Sequence, residues 1–469
     1  MGGLFGVIGR KNCTTDLFYG TDYHSHLGTK RGGMAVCNEG TFKRYIHNIE
    51  NAQFRSKFEF DIIKMSGPAG IGVISDFEDQ PVLMRSHLGQ YALATVGIIR
   101  NAEELARTAF IQRRIHLSEM RGGDINATEL VGMLINQEDS FVAGIQKVQE
   151  LIEGSCSLLL LTPEGIYAAR DRYGRTPLIL GRSDGRLAVT METCAFPNLD
   201  YTIEHSLGPG EIVFLTRNGF EQKAPPGDTL QICSFLWVYY GYPASEYEGI
   251  NVEVVRNRCG ALLAEQDHIE VDAIAGIPDS GTGHGLGYAS RAGIPYTRPF
   301  VKYTPTWPRS FMPQNQAIRD LVAKMKLIPV EELIRGKRLL FCEDSIVRGT
   351  QLQDTISRLK ASGAKEIHMR PACPPLIYNC KFLNFSRSTS EFDYAARMAI
   401  REIEGEHFTD FDRYARAGSD EYEAMVEKIR SRLYLTSLRY QRLEDLVTAI
   451  GLPKEQLCTY CWDGSGPVV

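Results

Sequence analysis

No stretch of this chain reaches the roughly 18 consecutive apolar residues that a membrane span needs. The amino-terminal MGGLFGVIGRKN carries only a five-residue apolar run, Leu4 to Ile8, too short for the core of a signal peptide. An excess of basic charge is missing as well. The net charge of −5 and the pI near 6.1 give no reason to expect nucleic acid or an anionic membrane as partner. A dense disulfide framework is also lacking, because eleven cysteines, an odd number, are spread over 469 residues. No internal repeat or low-complexity segment is evident. These absences predict a soluble, cytoplasmic protein with mostly reduced thiols, and its 43% hydrophobic content is enough for two or more cores.

What is present centres on GKRLLFCEDSIVRGTQLQDTISRLKASGA, from Gly336 to Ala364. An apolar strand (Leu339 to Cys342) runs into two adjacent carboxylates, Glu343 and Asp344. A short polar loop follows (Ser345 to Thr350), then a helix from about Gln351 with Leu352, Ile356 and Leu359 on one face. In open α/β sheets ligands bind beyond the carboxyl ends of strands, and free N–H groups at a helix N-terminus suit a phosphate. Acids next to such a loop suit a divalent cation or a sugar diol, so one piece of chain can grip a phosphorylated sugar.

Residues 1 to about 225 are β-rich, with strands such as GLFGVI, AGIGVI, YALATVGII, SLLLLTP, GIYAA, PLILG, RLAVT and EIVFLT separated by turn signals. Helices are expected near Ala102 to Phe110 and Ala127 to Gln137, giving a layered α+β domain. The link Lys223 to Asp228, with its prolines and glycine, sets the boundary between domains at 1–227 and 228–469. Beyond it, a helix (about Glu253 to Gln266), strand DAIAGI, a glycine-rich loop PDSGTGHG, a helix with Leu286 and Ala289, a helix from Gln316 to Lys326 and strand EIHMRPA predict a mostly parallel sheet. From about Ser390 to Ile450 the chain is charged and helical, and it ends in a CxxC pair, Cys458 and Cys461. The glycine-rich loop alone is weak evidence for an anion nest; with the acid-loop segment it is far more specific.

IAGIPDSG, VKYTPTWPRSFM, KMKLIP and LLFCEDSIVRGTQ together resemble the phosphoribosyl diphosphate (PRPP) site of the glutamine amidophosphoribosyltransferases of purine synthesis. The likeness extends through CSFLWVYYGYPASEYEGI, YAARDRYGRTPLILG, METCAF and GPGEIV, over nearly the whole chain. It implies an α+β N-terminal-nucleophile-hydrolase-like layered domain, then an α/β type I phosphoribosyltransferase domain with a C-terminal helical extension. By position, Glu343 and Asp344 match the acidic pair that holds the ribose hydroxyls and Mg²⁺, with Glu343 where an aspartate is usual. Ser280 matches a further Mg²⁺ ligand. Asp279, Ser280 and Gly281 match the diphosphate loop, and Ser345, Ile346, Val347, Arg348, Gly349, Thr350 and Gln351 the 5-phosphate loop. The closing loop corresponds to Lys302 through Gln314, with Arg309, Ser310 and Phe311 at matched positions and Lys302, Lys324 and Lys326 as basic residues. Lys302 and Arg309 join the acid pair as expected catalytic groups. Trp307 and Pro308 depart from the tyrosine and glycine usual there.

In the subfamily this chain resembles, four cysteines hold a 4Fe–4S cluster, and Cys233, Cys380, Cys458 and Cys461 match all four positions. Four thiolates are the right ligand number; zinc is the alternative occupant. Cys13, Cys37, Cys156, Cys194, Cys259, Cys342 and Cys373 match no ligand position and are expected to be ordinary buried thiols.

The N-terminal half departs from the family. Where the family exposes a cysteine nucleophile, this chain has Gly2. Ser75 stands for the arginine that clamps the glutamine carboxylate, Val96 for the oxyanion-hole asparagine (Gly97 remains), Ala127 for the glutamine-binding aspartate and Leu27 for another arginine. Losing one oxyanion donor alone costs about 3 kcal/mol. The resemblance therefore implies a degenerate glutaminase joined to a retained PRPP site. The partners it implies are PRPP, ammonia or another amine, a possible amidotransferase or paralogue subunit, and further copies of the chain in a dimer or tetramer. Two alternatives stand beside an ammonia-dependent transferase: a transferase for another amine, and a non-catalytic PRPP- or nucleotide-sensing subunit.

Overall fold

The computed structural model describes residues 2–113, 117, 120–121, 124–303, 327–383 and 393–466. In the first half, two antiparallel sheets lie face to face. One has seven strands in the spatial order Thr202–Ser206, Ile179–Ser183, Arg186–Thr190, Gly3–Gly9, Ala69–Ser75, Arg31–Asn38, Thr41–Asn48. The other has six, in the order Gly219–Ala224, Ile212–Thr216, Ile166–Ala169, Gly154–Leu161, Gly89–Ile99, Val82–Ser86.

The SLLLL run shows why these strands are apolar throughout. Successive side chains of a strand point to opposite faces. Leu159 and Leu161 enter the core between the sheets with Leu4, Ile71 and Val73. Leu158 and Leu160 point the other way, against Leu130, Leu134, Ile145 and Val148 of the helices Ala127–Ile135 and Phe141–Leu151. Helix Thr14–Asp22 packs on the Gly3–Gly9 and Ala69–Ser75 strands of the first sheet. The result is the layered α+β domain expected.

The second half is built on four parallel strands in the order Ala273–Gly276, Arg338–Glu343, Glu366–Pro371, Ser437–Leu438. One face is covered by Leu263 and Ala264 of helix Val252–Glu265 and by Tyr288 and Ala289 of helix Thr282–Ala292. The other takes Ile356 and Leu359 from helix Thr350–Ala361, with Ala399, Ile400 and Met425 from the C-terminal helices. A short parallel pairing of Ile232–Cys233 with Leu457–Cys458 returns the C-terminus to the start of this half. No described helix is long and apolar enough to cross a membrane.

Several elements differ from the sequence expectation. Helices Thr14–Asp22 and Phe141–Leu151 and strands Arg31–Asn38 and Thr41–Asn48 carry mixed patterns and were not expected. The supposed link starts later than Lys223, because Lys223 and Ala224 close the Gly219–Ala224 edge strand. Ser437–Leu438, inside the segment expected to be helical, supplies the fourth parallel strand. The helix expected over Gln316 to Lys326 lies outside the described residues.

Candidate active site

The carboxyl end of the Arg338–Glu343 strand delivers Glu343 and Asp344 beside the glycine-rich loop. Gly281 makes that approach possible: a Cβ there would stand 2.2 Å from the carbonyl oxygen of Cys342. The Ile277 N–H donates to that same oxygen at 3.0 Å. The two loops are thereby tied at one sheet edge, and the Ser280 hydroxyl donates to Glu343 Oε1 at 2.9 Å. The Asp344 N–H donates to the same Glu343 oxygen at 3.0 Å, and the Ser345 hydroxyl donates to Asp344. Burial, and then the charge of Asp344, push the Glu343 carboxyl well above the usual carboxylate range.

Ser345 to Gly349 lead into helix Thr350–Ala361, with Gly349 at φ +81° as its N-cap. Ile346 turns into the core, so this residue can offer a ligand only its backbone. The Val347 carbonyl accepts from the Ala395 N–H at 2.7 Å, and Arg348 pairs with Asp393 at 3.6 Å. Lys302, at the end of strand Phe300–Lys302, ion-pairs with Asp279. A cavity of about 520 Å³ is lined by Pro278, Ser280, Glu343 and Asp344, by residues 345–350, and by Phe235 and Tyr239. Sequence reasoning gave no role to the last two. They belong to the CSFLWVYYGY run, and the π-helical turn Leu236–Tyr240 includes Tyr239. Arg309, Ser310, Phe311, Lys324 and Lys326 lie outside the described residues, and Gln351 is described only as part of its helix.

Four of the five positions at which the first half departs from the glutaminase pattern come together in space. Gly2, Ser75, Val96 and Ala127 line one cavity with Glu78, Gln80, Thr95 and Cys156. Its volume is about 20 Å³, room for about one water molecule. The chain's own side chains serve the nearby backbone: Gln80 Oε1 accepts from the Thr95 N–H at 2.7 Å, and Glu78 Oε1 from the Ala127 N–H at 3.3 Å. Cys156 is no replacement nucleophile, because burial pushes its thiol up to about 12. The retained Gly97 has a structural reason to persist. It sits at φ +137°, where a Cβ would meet the Ser155 carbonyl oxygen at 2.0 Å. Leu27, where the family carries an arginine, is buried in the core.

Cys233 and Cys458 are register partners across the parallel pairing, and Cys461 follows in the short helix Tyr460–Asp463. Burial first, then the neighbouring thiols, raise Cys233 and Cys461, and Cys380 acts on Cys233, Cys458 and Cys461 alike. The four predicted cysteines are thus one electrostatic group. Among the described residues no three His, Cys, Asp or Glu side chains are drawn together closely enough to hold a metal ion. The other seven cysteines are all buried.

Residues 71–198 match the family model for a glutamine amidotransferase domain. The chain is 34% identical to the chloroplastic amidophosphoribosyltransferase of Vigna aconitifolia, over 86% of this chain and 83% of that protein. It belongs to the amidophosphoribosyltransferase family. The enzyme of that name from Methanocaldococcus jannaschii is 29% identical over 100% of this chain and 98% of its own length. Among solved structures, the glutamine PRPP amidotransferase of Bacillus subtilis, complexed with ADP and GMP, superposes with a TM-score of 0.85 at 26% identity, covering 99% of this chain and 97% of that one. The two-part fold is therefore that of an amidophosphoribosyltransferase, an N-terminal-nucleophile-type glutaminase domain followed by a phosphoribosyltransferase domain.

Proposed function

We propose that this amidophosphoribosyltransferase homologue converts PRPP and free ammonia to 5-phosphoribosylamine and diphosphate, with no glutaminase of its own. In this reading residues 1–227 are the inactive glutaminase half and residues 228–469 the transferase half. The observation that carries it is the contrast between the two cavities. The one around Gly2 measures about 20 Å³ and has no nucleophile at position 2, while the one around Glu343 and Asp344 measures about 520 Å³.

Ser280, Glu343 and Asp344 offer a set of hard oxygen donors at one point, which fits Mg²⁺. When bound there, Mg²⁺ supplies charge neutralisation for a diphosphate. The acid pair orients the ribose hydroxyls, the N-terminus of helix Thr350–Ala361 takes the 5-phosphate, and Lys302 is positioned to leave Asp279 for the diphosphate. Breaking the bond at C1 develops positive charge on the sugar and negative charge on the leaving group, so cations at the diphosphate end lower the barrier.

The four-cysteine group would fit a 4Fe–4S cluster in ligand type and number. In this reading it staples the C-terminal helices to the core. The deciding experiment is diphosphate release from PRPP with Mg²⁺, amine by amine. Ammonium chloride should support turnover and glutamine should not. Equal turnover with glutamine would overturn the proposal. PRPP binding without diphosphate release under any amine would favour a PRPP-sensing subunit.

A further inference from the structure

Two arginines of the RDRYGR segment are fully buried, and they are satisfied very differently. Arg170 donates through Nε to the Thr176 carbonyl at 2.8 Å, through Nη1 to Leu207 and through Nη2 to Gly174 at 2.7 Å, and it pairs with Glu248 at 2.8 Å. Arg175 is 0% exposed. Its Nη1 donates to the Gly154 carbonyl at 3.1 Å, Nε and Nη2 find no oxygen partner, and the guanidinium makes a side-chain hydrogen bond with the Cys458 thiol. No carboxylate among the described residues forms an ion pair with it. A buried cation without a counter-charge is strongly disfavoured, and an unsatisfied buried donor points to a missing partner.

The surroundings of Arg175 are those of the cysteine group. Its own carbonyl accepts the Cys233 N–H at 3.1 Å. Its guanidinium lies beside the Cys458 thiol and 3.7 Å from the ring centroid of Phe382, two residues after Cys380. The Tyr173 ring lies 4.7 Å away. The rings favour a cation, but they neutralise nothing. Of the four thiols, the one its charge acts on directly is Cys458.

We propose that Arg175 is the counter-charge of an anionic four-thiolate iron–sulfur cluster at Cys233, Cys380, Cys458 and Cys461, and that it sets the reduction potential of that cluster. The inference rests on the cluster reading above. Four thiolates around the cluster carry net negative charge, and reduction adds one more. A fixed cation in a water-excluded site stabilises the reduced form more than the oxidised form. Arg175 is a tuning residue here and ligates nothing.

The test uses the full chain prepared anaerobically as wild type, Arg175→Lys, Arg175→Gln and Arg175→Met. Iron and acid-labile sulfide are measured, followed by a mediated redox titration read by visible absorbance and electron paramagnetic resonance. Arg175→Lys should titrate near the wild-type midpoint, and the two neutral variants should shift to more negative potential. Arg175→Gln keeps an extended polar side chain, so it carries the test if the Met variant fails to fold. Neutral variants with full iron and an unshifted midpoint would overturn the proposal and leave Arg175 as a wedge between two rings. A wild-type protein without iron, or colourless with stoichiometric zinc, would overturn the cluster reading itself.

Discussion

A side chain at Gly2 would place its first carbon 2.5 Å from the carbonyl oxygen of Ile74 and 3.2 Å from Cγ2 of Val96. The first contact is with backbone of the adjacent Ala69–Ser75 strand, which cannot swing away as a side-chain tip can. In the function proposed above, position 2 is where the nucleophile would stand, and a Cβ there meets the sheet backbone. Gly2→Cys is therefore expected to leave glutamine-dependent diphosphate release at background, while ammonia-dependent release stays within about twofold of wild type. A coupled diphosphate assay with each nitrogen source measures this. Glutamine turnover regained by that single change would show that the pocket is open.

Asp344→Asn removes a charge from the acid pair but keeps the side chain's size. Loss of one group that stabilises developing charge costs about 10²–10³ in rate. Ammonia-dependent turnover should fall by about 100-fold or more, and the Mg²⁺ concentration for half-maximal rate should rise. An Asn variant with wild-type Mg²⁺ dependence would remove Asp344 from the metal set.

Cys458→Ser breaks the four-thiolate set at the residue whose backbone pairs with Cys233. The variant should lose iron and visible absorbance. Its melting temperature should drop by about 10 °C, as expected for the loss of a few kcal/mol in a domain of this size. Cys37→Ser, at a buried thiol far from the set in sequence and inside another core, should retain full iron. Iron analysis and calorimetry under argon separate the two.

His24 gives a pH dependence with a definite sign. Burial holds it neutral and lowers its pKa from 6.5 to about 4, with the ring between the Gly20 carbonyl at 2.8 Å and the Thr190 hydroxyl at 3.1 Å. As pH falls below 6.5 the unfolded chain takes up this proton first. Stability is therefore full above that value and is lost between 6.5 and about 4, by about 3 kcal/mol from this group. His284, lowered to about 3 by burial and by Arg256, acts in the same direction. Urea midpoints should fall as pH is lowered from 7 to 5. In His24→Asn the slope should lessen by up to about one proton. An unchanged slope in that variant would mean that His24 is protonated in the native state.

Much of the transferase site was legible because its parts are contiguous in the chain. A strand, two acids, a loop and a helix N-terminus must stand in that order to grip a phosphorylated sugar, and the structure places Glu343, Asp344 and the 345–350 loop at one cavity. Phe235 and Tyr239 were not legible there, since an aromatic in a short apolar run has the same pattern whether it fills the core or walls a pocket.

By itself the sequence determined the chemistry available: hard oxygens at Ser280, Glu343 and Asp344, four thiols at Cys233, Cys380, Cys458 and Cys461, and no cysteine at position 2. Only the tertiary structure decided what those groups face. Gly2 precedes the Gly3–Gly9 strand, Ser75 and Val96 lie in strands of different sheets and Ala127 opens a helix, so the volume left between them depends on how two sheets pack. Arg175 carries the same charge in any sequence. Only its burial beside Cys458, with Nε and Nη2 lacking an oxygen partner, makes its charge costly enough to require a counter-charge.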